Sequence, residues 1–236
     1  MSRAVALRVA TWNIRKAVGL DRRRDPGRVL SVIAGLEAQI VALQEADLRL
    51  GSRRAALPRA QLEAETGMVV VDLADNDVSL GSHGNALLVA RGLEVLHAAR
   101  IPLPGLEPRG AVIAEIAVPA LGGAVHVVGT HLGLLRRWRR RQLATILDHL
   151  PPQAGPHGLI LGDFNEWHPM RGLEALESAF SVLSPGSSFH SARPVAALDR
   201  IAHGPGLRPL SAGVERHGPA RVASDHLPVW AEFDRP

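Results

Sequence analysis

Six apolar stretches of this chain are bordered by a carboxylate, an amide or an imidazole. Asn13 closes VATWN, Glu45 closes IVALQE, His131 closes VVGTH, and Asp163 and Asn165 close LILGDFN. Asp199 opens DRIA, and Asp225 and His226 precede LPVW. Each alone has an ordinary explanation, because Asp and Asn favour turns through side-chain to backbone hydrogen bonds. Together they are the residue types a magnesium phosphoesterase uses. Mg²⁺ prefers oxygen ligands, keeps several waters, and takes one or two carboxylates plus substrate phosphate. Glu45, Asp225 and the carboxamide oxygen of Asn13 supply such a set, and without cysteine oxygen coordination is favoured over a zinc site. Phosphodiester hydrolysis also needs a base to orient water, cations to neutralise charge on the phosphorus oxygens, and an acid for the leaving oxygen. A serine-hydrolase reading of Ser224-Asp225-His226 fails, since neighbours in an extended chain point to opposite faces and there is no G-x-S-x-G elbow. Asp225 and His226 can share a site only in a turn, for which Pro228 provides a reason.

These residues need a scaffold, and the bulk properties limit its kind. The 236 residues suit one domain, residues 1–236, with a core of Leu, Val, Ile and Ala, since aromatics make up only 3%. Hydrophobic residues at 46%, charged residues at 21% and a mean hydropathy of +0.06 describe a globular protein. The pI of 10.9 overstates the basic character. Lys16 is the sole lysine and tyrosine and cysteine are absent, so almost nothing titrates between neutrality and the arginines, and a net charge of +4 suffices. That charge is a modest bias toward anionic partners. The N-terminal MSRAVALRVATWNI, interrupted by Arg8, reads as a strand and not as a signal peptide. No apolar run reaches membrane-spanning length. A cytoplasmic monomer is the expectation.

Strand composition occurs at 6–14, 39–45, 68–73, 85–90, 93–101, 111–118, 124–132 and 158–163, with shorter strands near 198–203 and 227–233. The turn Pro119–Gly123 makes 111–132 a hairpin, and helices are expected at 26–36, 58–67 and 136–150. One internal echo stands out. Strand, polar loop, helix, strand and carboxylate recur, with 32 residues from Asn13 to Glu45 (45 − 13) and 32 from His131 to Asp163 (163 − 131). Two such units could stack as two sheets with outer helices and bring both carboxylates to one edge.

TWNI, LQE, GTHL, GDFN, LDRI and SDHLPV, in that order between residues 11 and 229, resemble the endonuclease/exonuclease/phosphatase superfamily of metal-dependent phosphoesterases. The resemblance covers essentially the whole chain. It implies a four-layer α/β sandwich, two packed mixed sheets flanked by helices. It implies Glu45 as principal Mg²⁺ ligand, Mn²⁺ being a possible substitute, with Asn13 and Asp225 close to the metal. Asp163 and Asn165 would position and deprotonate the attacking water, and Asp199 would orient His226 against the phosphate. His131 would contact the phosphate or protonate the leaving group, and its own carboxylate partner is not visible in the sequence. Asn85 in HGNALL and Arg109 in EPRGAV fall in stretches similar to the family pattern and would contact the substrate phosphate.

The substrate stays open between nucleic acid, phospholipid and small phosphoesters. LLRRWRRRQL (134–143) places five arginines and Trp138 in two helical turns. It reads either as a solvated face or as an anion-binding ridge for nucleic-acid backbone or lipid headgroups. A non-catalytic nucleic-acid or anionic-lipid binding module retaining the fold is the alternative function. Such a module would be expected to have lost a ligand or the water-activating acid, and none of these residues is missing.

Overall fold

The computed structural model describes residues 6–169 and 171–235. In chain order the strands are β1 (Leu7–Asn13), β2 (Ile40–Gln44), β3 (Met68–Val70), β4 (Ala86–Ala90), β5 (Glu94–Leu103), β6 (Arg109–Val118), β7 (Gly123–His131), β8 (Gly158–Asp163), β9 (Ser181–Leu183), β10 (Asp199–His203), β11 (Arg208–Val214) and β12 (Val229–Asp234). The helices are α1 (Pro26–Gly35), α2 (Arg59–Thr66), α3 (Arg136–His149) and the single turn α4 (Ala220–Ala223). The strands form two six-stranded sheets, ordered β11-β12-β1-β2-β4-β3 and β5-β6-β7-β8-β10-β9. In each, one parallel pair sits among antiparallel neighbours: β1 beside β2, and β7 beside β8.

The two parallel pairs are the two units of the sequence echo, each joined through a helix. Parallel neighbours need such a crossover. Because strand side chains alternate, each central strand serves two cores. Val9, Ile40, Ala42, Leu159, Leu161 and Ile201 point between the sheets and pack with Val112, Val127, Val229 and Phe233. Ala10, Trp12, Val41 and Leu43 point outward under Val29, Leu30 and Ile33 of α1. Val128 and Ile160 point outward under Leu143 and Ile146 of α3. The order is therefore helix, sheet, sheet, helix, the expected four-layer α/β sandwich. α1 starts as its sequence dictates: Asp25 caps the N–H of Arg28 at 2.9 Å, and Pro26 occupies the first turn.

The structure shortens one expected strand and adds two. β3 stops at Val70 rather than residue 73. β9 and β11 are edge strands, and β11 (RPLSAGV) carries Pro and Gly and leaves its middle residues exposed, so its composition is that of a loop.

Gly162 has a role specific to this packing. A Cβ built there would lie 1.9 Å from the carbonyl oxygen of Thr130 on the paired strand. Gly162→Ala should force β7 and β8 apart beneath the site. Unfolding in urea should show a loss of roughly 3 kcal/mol, the upper end for overpacking. An alanine variant as stable as the parent would mean the strands tolerate the shift.

Candidate active site

The polar residues meet where the two sheets end side by side. Asn13 ends β1, with Gln44 opposite it on β2 and Glu45 the next residue. His131 ends β7 opposite Asp163, which ends β8, and Asp199 opens β10 opposite the same Asp163. The Asn13 carboxamide crosses the seam and donates to Asp163 Oδ2 at 3.1 Å. His226, just before β12 of the first sheet, reaches the second sheet twice. Its Nδ1 lies 2.8 Å from Asp199 Oδ2 and its Nε2 lies 3.7 Å from Asp163 Oδ2. His131 Nε2 lies 3.3 Å from the same oxygen. Asp163 is thus the carboxylate beside His131 that the sequence left unidentified, and one buried oxygen is faced by three nitrogens from both sheets.

Local backbone sets these directions. Glu45 and Asn165 have φ of 51° and 50°, the left-handed region that non-glycine residues rarely occupy. The left-handed residue turns the chain sharply as it leaves the strand. Asn165 folds back so that its N–H donates to Asp163 Oδ1 at 3.0 Å and its amide to the carbonyl of Leu132 at 2.9 Å. Ser188 Oγ donates to Asp199 Oδ2 at 2.5 Å, and Trp12 Nε1 donates to the carbonyl of His226 at 2.9 Å. Phe189 packs against the His226 ring at a centroid distance of 4.9 Å. Asp199 and His226 are thereby held from several sides.

The two imidazoles are driven apart electrostatically. Burial pushes His131 down to about 3, with Asp163 opposing and Arg109 adding to the fall, so it is neutral near neutrality. Its Nε2 faces a carboxylate and is best assigned the proton. Burial also works against charge on His226, but Asp199 first and then Asp163 outweigh it and raise it to about 10, making it an imidazolium. The His131 shift has a stability consequence. An unfolded histidine takes up a proton near 6.5, whereas this one resists until about 3. Acid therefore favours the unfolded state in that window, and stability falls as pH drops. Between about pH 6.5 and about pH 4.5 a parent protein should lose roughly 2 kcal/mol more than His131→Gln in urea unfolding. Equal losses would show that His131 is not held neutral.

Arg15 and Lys16 join the site although neither is among the residues expected there. Arg15, Lys16 and Ala17 all have left-handed φ, of 47°, 57° and 59°. That turn folds Lys16 Nζ onto Glu45, puts Arg15 Nε 3.4 Å from Asp225, and aims the Arg15 N–H at Asn13 Oδ1 (3.1 Å). The oxygens of Glu45, Asp225 and Asn13 are each met by positive charge or a donor, at the edge of the seam rather than deep within it. Their chemistry, two carboxylates and one carboxamide oxygen, is that of ligands to a hard divalent cation. Among the described residues, a different trio of Asp163, Asp199 and His226 places potential ligand atoms within 4.8 Å of one another. In this trio Asp199 Oδ2 accepts from Ser188 and lies 2.8 Å from His226 Nδ1, so its atoms are joined to one another. The uniqueness of Lys16 in an arginine-rich chain is the one sequence signal that could have marked it.

Asn85 and Arg109 lie on the same side of the seam. Asn85 donates to the carbonyl of Gly110 at 2.9 Å, leaving its buried Oδ1 without a protein partner. Arg109 pairs with Glu107 at 2.8 Å and lines one cleft with Lys16, Glu45 and His131. The arginine run divides. Arg139 is buried, ion-paired with Glu166 and donating to the carbonyls of Gly133 and Leu134. It thereby ties the segment after β7 to the segment after β8. Arg136, Arg137, Arg140 and Arg141 stay exposed.

Residues 10–226 match the endonuclease/exonuclease/phosphatase family. An uncharacterised Escherichia coli protein, YbhP, is 34% identical over 166 residues, covering 65% of this chain, and the match spans 63% of the relative's length. Among solved structures, an endonuclease/exonuclease/phosphatase from Beutenbergia cavernae superposes with a TM-score of 0.74 at 22% identity, covering 97% of this chain and 71% of that one. A Bacteroides thetaiotaomicron mannosyl-6-phosphatase gives 0.74 at 15% identity, covering 96% and 99%. At these identities the superpositions speak to the fold alone. With two mixed six-stranded sheets between helices and a family match across most of its length, the chain belongs to the endonuclease/exonuclease/phosphatase family, whose members are phosphoesterases.

Proposed function

We propose that the protein is a divalent-cation-dependent hydrolase of phosphodiesters, with Mg²⁺ as the cation and Mn²⁺ able to replace it. The observation that carries this reading is the buried line Asp199–His226–Asp163, a 2.8 Å hydrogen bond followed by a 3.7 Å charge contact, beside Glu45 and Asp225. Glu45, Asn13 and Asp225 would hold the cation, which when bound supplies positive charge to a phosphoryl oxygen. Asp163, supported by Asn165, orients a water and accepts its proton. The water oxygen bonds to phosphorus, the opposite P–O ester bond breaks, and the leaving alkoxide takes its proton from solvent water. Asp199 holds His226 Nδ1, which leaves the imidazolium Nε2–H, 3.7 Å from Asp163 Oδ2 and not hydrogen-bonded to it, to serve the phosphoryl oxygens where negative charge grows. His131, neutral, contacts the phosphate through the same Nε2–H that faces Asp163 Oδ2 at 3.3 Å in the free protein. Its depressed proton affinity makes it a poor source of a proton for the leaving alkoxide. Asn85 and Arg109 contact the phosphate from the facing loops.

A panel of bis-p-nitrophenyl phosphate, duplex and single-stranded DNA, RNA, phospholipids and inositol phosphates tests this. At least one diester should turn over with Mg²⁺, stop on chelation and resume with Mn²⁺. Full activity in chelator would remove the metal from the account. Binding without turnover of any phosphoester would favour a non-catalytic module on the same fold.

A further inference from the structure

We propose that the loops around the catalytic seam dock onto an anionic phospholipid surface, so that the diester reaching Asp163 is part of a lipid headgroup. This rests on the hydrolase reading for its chemistry, but the docking surface stands on separate observations.

The first is where apolar side chains meet water. Leu106 is 73% exposed, Leu134 63%, Leu135 50% and Trp167 64%. All four lie on loops leaving the strand ends that carry the site. Leu106 is in the turn between β5 and β6, which ends at Arg109, and Leu134 and Leu135 follow His131 into α3. These three leucines line one cleft with Trp138 and Arg109. Trp167 follows Asn165 by two residues and meets the edge of Phe189 at 6.2 Å, the ring that packs on His226. Apolar tips therefore project beside both His131 and His226. Single exposed leucines are ordinary, but a group rimming one functional mouth marks an interaction surface.

The second observation is charge. Arg136, Arg137, Arg140 and Arg141 are exposed on the first two turns of α3, which has no acidic residue in its first turn, and Arg136 and Arg140 lie 3.6 and 3.9 Å from Glu166 and Glu174. Cations there oppose the helix dipole, so helix stability does not explain them. Trp138 lies beneath Arg137 and Arg141, with guanidinium carbons 5.5 and 5.1 Å from its ring centroid. Arginines next to protruding leucine and tryptophan match the two layers of a lipid surface, phosphate outside and acyl chain beneath. A nucleic-acid backbone would use the arginines but offers the leucines nothing apolar. At such a surface the water oxygen bonds to the lipid phosphorus, one P–O ester bond breaks, the departing alkoxide takes a proton from bulk water, and a phosphomonoester remains.

The test is co-sedimentation of the full chain with vesicles of phosphatidylcholine, alone or containing phosphatidylglycerol, together with hydrolysis of the vesicle lipid. Wild type should bind the anionic vesicles and release with salt. Leu106→Ser/Leu134→Ser should weaken binding roughly tenfold or more through lost apolar burial. Arg137→Gln/Arg141→Gln should weaken it roughly tenfold through lost attraction. Neither should change turnover of bis-p-nitrophenyl phosphate, which needs no surface and shows that both variants fold. The proposal is overturned if wild type ignores anionic vesicles, or if the leucine variant binds them and hydrolyses their lipid as wild type does. Tight duplex-DNA binding that the arginine changes weaken and the leucine changes spare would also overturn it, in favour of nucleic acid. Leucine-dependent vesicle binding without turnover of any phosphoester would instead sink the hydrolase reading and leave the docking surface standing.

Discussion

Asp163→Asn should lower kcat by roughly 10²–10⁴ while leaving the fold in place, the range expected when a general base is removed. Asp163 is buried and its Oδ2 is approached by Asn13 Nδ2 at 3.1 Å, His131 Nε2 at 3.3 Å and His226 Nε2 at 3.7 Å. Its other oxygen accepts from the N–H of Asn165 at 3.0 Å. Asparagine keeps the shape and one acceptor. It also forces one amide N–H against an existing donor, at a stability cost of about 1–3 kcal/mol. What it cannot do is take a proton from water. Steady-state kinetics on a soluble diester, with circular dichroism as the check on folding, measures both effects. Wild-type turnover in a folded Asp163→Asn protein would return LILGDFN to a structural turn.

The second large effect is a failure of additivity. His226→Ala and Asp199→Asn should each cut kcat/KM by roughly 10²–10³, of the size seen when a group stabilising developing charge is removed. The double variant should be scarcely worse than His226→Ala. Asp199 is fully buried in the protein and reaches the proposed phosphate only through His226 Nδ1, 2.8 Å away. Ser188 also fixes the oxygen it uses, at 2.5 Å. Residues that act through one imidazole should show a coupling energy near the whole single-site loss. Additive losses would mean that Asp199 acts on the reaction by another route.

Much of this site is legible in the sequence. The 32-residue spacing shared by Asn13–Glu45 and His131–Asp163 marks two strand–helix–strand units, and both are parallel pairs in the structure. Unbroken apolar runs in β2 and β8 mark strands buried on both faces. Convergence was harder to read. The bond between Asn13 and Asp163 joins residues 150 apart and depends on how two sheets stack, which no local pattern encodes. Arg15 and Lys16 escaped because their direction comes from three successive left-handed residues with no glycine to announce the turn. In the arginine run, the sequence could not show that Arg139 is the buried one, paired with Glu166, while Arg136 reaches the same carboxylate from the exposed side. The edge strand β11 escaped because its exposed face and its Pro209 and Gly213 remove the usual strand signal.

The most direct test of the central claim is turnover of a diester in water labelled with heavy oxygen, followed by mass spectrometry of both products. Attack on phosphorus by a water held at Asp163 predicts one labelled oxygen in the phosphate-bearing product and none in the released alcohol. Label in the alcohol would place the attack on carbon and contradict the account.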